Sequence, residues 1–170
     1  MKFLTALKTL ATAGVLLSTT IVVLASPTWA TLGDNAASVL TDQSHFKGVL
    51  HSTDNQTYVL HEITLRSGGK IREFVTPGGA VFGVAWEGQQ PPNLQQLLGP
   101  YFQQAKRARQ AQAQLDSQNS SQNAPRAHRA PVIVETPGLV IYETGHVRSF
   151  HGTAYIPQLI PQGVQAADIR

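Results

Sequence analysis

Arg72–Gly88, "REFVTPGGAVFGVAWEG", decides the fold. Two runs of β-branched and aromatic residues flank Pro77-Gly78-Gly79, which is the composition of two strands joined by a tight turn. Within "AVFGVAW", strict alternation places Phe82, Val84 and Trp86 on one face and Val81, Gly83 and Ala85 on the other. Phe74 on the neighbouring strand joins the aromatic face, because paired strands align side chains on a shared face. Alternating apolar faces mean burial, so the hairpin reads first as the middle of a packed sheet. The functional alternative is an aromatic groove in which Phe74, Phe82 and Trp86 hold a small apolar or glycan ligand.

Outward from this hairpin the period of two continues. "TYVLHEITL" (Thr57–Leu65) precedes it across the turn Ser67–Lys70. Upstream, Thr31–Ser52 reads as a helix, with Asp34 or Asn35 as cap, Val39, Phe46, Val49 and Leu50 near helical spacing, and Gly48 weakening its end. Downstream, Asn93 caps a short helix carrying Leu94, Leu97 and Leu98, interrupted at Gly99-Pro100. A second helical start follows near Tyr101 and Phe102. From Gln110 to Ala130 the chain is polar and low in complexity, with too few large apolar side chains to offset the entropy of ordering. This stretch reads as a flexible insertion, helical at most at its start. Strands resume at Val132–Glu135, Leu139–Glu143 and His146–Tyr155, with turns at Pro137-Gly138 and Thr144-Gly145, and the end is Pro-rich with a short turn near Ala166. Forty residues without cysteine rarely build their own core, so these strands should extend the sheet begun at Thr57. The expectation is one α+β domain over 31–170, with an antiparallel sheet of five to six strands packed on one or two helices.

The first thirty residues have the layout of a secretory signal peptide. Lys2 and Lys8 precede an uncharged apolar run from Leu10 to Ala25, and "SPTWA" offers a cleavage site after Ala30. The run falls short of the ~20 residues that span a bilayer, so no stable anchor is expected after cleavage. The chain has no cysteine, which excludes a lipoprotein anchor, a disulfide framework and thiolate chemistry. Without Lys2 and Lys8, 11 basic residues face 10 acidic ones. The stretch 103–130 carries Lys106, Arg107, Arg109, Arg126 and Arg129 against Asp116 alone, so the rest of the chain after residue 30 is acidic on balance. A nucleic-acid partner is not expected, since such modules concentrate charge on a folded face.

"HEITLRSGGKIREFVTPGGAVFGVAWEG", then "PNLQQLLGPYF" and "GHVRSFHGTAYIPQLIPQGVQAADIR", resemble the bacterial exported proteins called domain of unknown function 2844. The resemblance covers nearly all of the chain after residue 30, with the Gln-rich stretch the least similar. It implies export and a bacterial source and carries no catalytic residue.

The candidate chemistry is sparse. His61 and Glu62 are adjacent in a strand and face opposite ways; His61 shares its face with Val59, Ile63 and Leu65, and Glu62 faces solvent or pairs with Arg72. His146 and His151 are separated by an odd number of positions. No spacing supports a metal site, and no metal or cofactor is expected. No serine lies in a G-x-S-x-G elbow, and "RSGGK" lacks both phosphate-loop spacing and a following helix. Two functions remain in view. One is a non-catalytic accessory or binding protein of the periplasm or cell exterior, with another envelope protein or a small ligand as partner. The other is a hydrolase, which needs convergence of two or more of His45, His51, His61, His146, His151 and Glu62.

Overall fold

The computed structural model describes residues 31–119 and 131–170. The leader read over 1–30, and the part of the insertion over 120–130, lie outside the described residues. The order of elements is α1 (Ala37–Phe46), β1 (Val49–Asp54), β2 (Val59–Thr64), β3 (Lys70–Val75), β4 (Val81–Gly88), α2 (Leu94–Leu98), α3 (Phe102–Asn119), β5 (Val132–Thr136), β6 (Leu139–His146) and β7 (Ser149–Tyr155). The strands form one antiparallel sheet of seven in the order β1-β2-β3-β4-β7-β6-β5. The chain is thus α+β, and its β4–β7 pairing joins the strands before and after the Gln-rich stretch into one layer.

The sheet has seven strands rather than five to six because the first helix is shorter than its sequence suggests. Lys47 adopts a left-handed conformation (φ 52°) and ends α1 at Phe46. Gly48 then passes close to β2, where a Cβ would lie 2.4 Å from Ile63 and 2.9 Å from the Thr64 carbonyl oxygen. Only glycine permits that approach. Val49–Ser52, read as the helix tail, instead begins the edge strand Val49–Asp54, paired with β2. Asn35 does accept a hydrogen bond from the Ala37 N–H (2.8 Å), and Asn93 caps α2 through the N–H groups of Gln95 and Gln96.

One further reading changes, and one is given its extent. α3 runs to Asn119, so the helical start of the Gln-rich stretch spans 110–119. The last hairpin turns at Val147-Arg148, where Arg148 has φ 64°, and not at Thr144-Gly145, which lies within β6.

The two faces of the sheet are covered differently. α1, α2 and the start of α3 pack on one face, burying Leu32, Val39, Leu97 and Leu98 against Ile63, Ile71, Val84, Trp86, Ile141 and Ala154. The C-terminal segment crosses the other, where Ile169, Ile160 and Val164 meet Phe74, Phe82 and Ala85.

Candidate functional site

The aromatic residues singled out in the sequence do not form one surface. Phe74 pairs with Gly83 and Val75 with Val81, so Phe82 is the extra residue of a β-bulge. The bulge flips the alternation. Phe82 and Phe74 lie with Tyr58 and Ile169 on the C-terminal-segment side, and Val84 and Trp86 lie under the helices. All three are at most 2% exposed. The Trp86 ring occupies the space left by Gly152 on β7, where a Cβ would come within 2.2 Å of it, and its indole N–H has no hydrogen-bond partner.

The histidines are dispersed. His61 is half-buried, and its Nδ1 meets Ser52 Oγ at 2.7 Å on the adjacent strand. Desolvation holds the His61 imidazole below its ordinary pKa. His51 faces the opposite way, opposite Glu62. Glu62 is occupied by Lys70 and Arg72, and Arg72 also reaches Glu87. These bonds, led by Lys70, hold Glu62 below its ordinary pKa against a desolvation that acts the other way. His45 meets Asn93 at 3.4 Å, and His151 meets Ser149 at 3.2 Å on the far hairpin. Among the described residues, no three His, Asp or Glu side chains are placed to hold a metal ion.

Sequence reasoning passed over the most unusual polar group. Glu73 lies on β3 between Ile71 and Val75, on the helix-covered face, and is fully buried. Asp42 of α1 descends onto it, also buried, and accepts a hydrogen bond from the buried Gln96 of α2. Burial, then the neighbouring Asp42, pushes Glu73 up to about 9; burial pushes Asp42 up to about 6 against the opposing bond from Gln96. Neither Glu73 oxygen meets a protein donor. Burial and the Asp42 carboxyl beside it thus favour the protonated form of Glu73. The signal was present in the sequence: alternation of "IREFV" puts an acid between two apolar residues on one face. Ser52, His61 and Glu73 occupy one cross-strand row, but Glu73 makes no hydrogen bond to His61, so the row is not a proton relay.

An open cavity of about 440 Å³ lies elsewhere, between the middle of α3 and the ends of β5, β6 and β7. Phe102, Ala105 and Ala108 seat the first turns of α3 on the core, and Gln104 donates to Thr136 Oγ1 at 3.1 Å. Farther along, Lys106, Arg109, Gln110 and Ala113 look onto the cavity. These are small or polar, and they do not fill the space above Val132, Gly145 and Phe150. Arg109 spans it, donating through Nε (2.8 Å) and Nη2 to one Glu143 oxygen. The size falls within the range of small-molecule sites, about 300–1,000 Å³.

The match to a family model covers residues 28–169, described as a protein of unknown function, DUF2844. The chain belongs to that family. No curated protein and no solved structure matches it. Among the described residues no helix is long and apolar enough to cross a membrane.

Proposed function

We propose that this DUF2844 protein is an exported, non-catalytic binding protein of the cell envelope that holds its ligand between α3 and the β5–β7 end of the sheet. One observation supports this reading above the others. Between α3 and the sheet, where Arg109 reaches Glu143, there is a cavity of ligand size. Export rests on the charged start and apolar run of residues 1–30. The aromatic residues Phe74, Phe82 and Trp86 support the core rather than contact the ligand.

The test is in-cell photo-crosslinking with a photoreactive residue at Gln110, which lines the cavity, and a control at Leu40, exposed on α1. A discrete adduct at 110, absent at 40, is expected. Identical products from both positions, or none from 110, would overturn the reading.

A further inference from the structure

We infer that the cavity under α3 takes an amphiphile with a single anionic head, of the chemistry of a medium-chain carboxylate. This rests on the binding reading above and adds the ligand class. Lys106 and Arg109 are three residues apart on one helix, and Gln110 and Ala113 each follow one of them by four, so all four share a stripe facing the cavity. Glu143 takes two of the five guanidinium N–H groups of Arg109 through a single oxygen. It fixes the plane of the guanidinium and leaves donors over. The Lys106 ammonium has no ion-pair partner among the described residues. With Glu143 counted against Arg109, the lining carries one net positive charge, which suits a monoanion. The facing wall, from the sheet, is apolar at Val132 and Phe150. Gly145 keeps the floor open: a Cβ there would lie 2.7 Å from the Phe150 ring. The site thus offers cations on one side and a hydrocarbon-lined slot on the other.

The experiment is calorimetric titration of the purified protein with dodecanoate below its micelle concentration, beside dodecyltrimethylammonium, which has the same tail and the opposite head. Dodecanoate should bind at one site and the cationic amphiphile at least tenfold more weakly. Lys106→Gln should weaken dodecanoate about tenfold, the loss of one charge-assisted contact. Ala113→Trp, which fills the slot from an exposed helix position, should abolish binding with an unchanged melting temperature; Gln110→Trp serves if that variant unfolds. Equal binding of both amphiphiles, lost on Ala113→Trp, would overturn the anionic head and leave the cavity a binding site. Dodecanoate binding that survives the filled slot would overturn the location. If neither amphiphile binds while the residue-110 crosslink persists, the ligand class falls alone; if that crosslink is also absent, the binding reading falls with it.

Discussion

Two helix-to-sheet junctions of this molecule are built on carboxylates and end up opposite in character. Under α1, the buried Asp42 lies beside the buried Glu73, with the Gln96 amide donating to Asp42. Under α3, Glu143 meets Arg109 beside a cavity of about 440 Å³. The first junction brings like groups together in a sealed interior, where at least one must be neutral to avoid two buried negative charges. The second brings opposite charges together at a partly exposed site. A junction that depends on a proton being retained belongs to the scaffold. The other leaves donors and space beside it, and the proposed binding function rests on that feature.

The sharpest way to break the contrast is to damage the sealed side. Trp86→Ala removes a ring packed against Gly152 in the core and should cost about 3–5 kcal/mol by urea unfolding. A loss below 1 kcal/mol would mean that the ring is not a core element and would reopen Trp86 as a ligand contact.

The next largest effect has the opposite sign. The folded-state pKa of Glu73 is raised above its ordinary 4.5 to about 9, so its contribution is full below 4.5 and is lost as pH rises through about 9. Asp42, raised from 3.8 to about 6, acts in the same direction over its own lower window. The protein should therefore be most stable in mild acid. Glu73→Gln is close to isosteric and carries no titrating proton. It should stabilise the fold by roughly 3 kcal/mol at pH 7 and flatten the slope between pH 6 and 9. Chemical denaturation across that range checks it, and a wild-type stability that rises with pH would refute the protonated pair.

On the open side the effect on stability is small. Arg109→Gln removes a half-exposed ion pair and should cost about 1 kcal/mol or less, while weakening dodecanoate binding. A loss comparable with that of Trp86→Ala would show that the strut is part of the core and erase the distinction between the two junctions.

Much of the sheet was legible because period-two alternation and Gly-rich turns are local signals. β2, β3 and β4 follow directly from "VLHEIT", "KIREFV" and "VFGVAWEG". Three features were hidden because their causes are tertiary or conformational. β1 depends on Gly48 fitting against β2, which no local periodicity reveals. The bulge at Phe82 shifts one residue and reverses the facing of its neighbours, so strict alternation wrongly grouped Phe82 with Trp86. The helical stretch after Gln110 lacks large apolar residues, so the sequence did not show how far the helix runs. In the fold the same short and polar side chains are what leave the cavity unfilled. The acid pair was half-visible: Glu73 between Ile71 and Val75 marks a buried carboxyl, while Asp42 could be paired with it only once α1 was laid across β3.

The central claim is that the β5–β7 end under α3 is open and the aromatic region is closed. Amide and indole N–H spectra of the ¹⁵N-labelled protein, titrated with dodecanoate, test it most directly. The account predicts shifts at Gly145 and Phe150 with the Trp86 indole and the Phe74 and Phe82 amides unmoved. Shifts centred on Trp86, Phe74 and Phe82, with Gly145 and Phe150 silent, would contradict it.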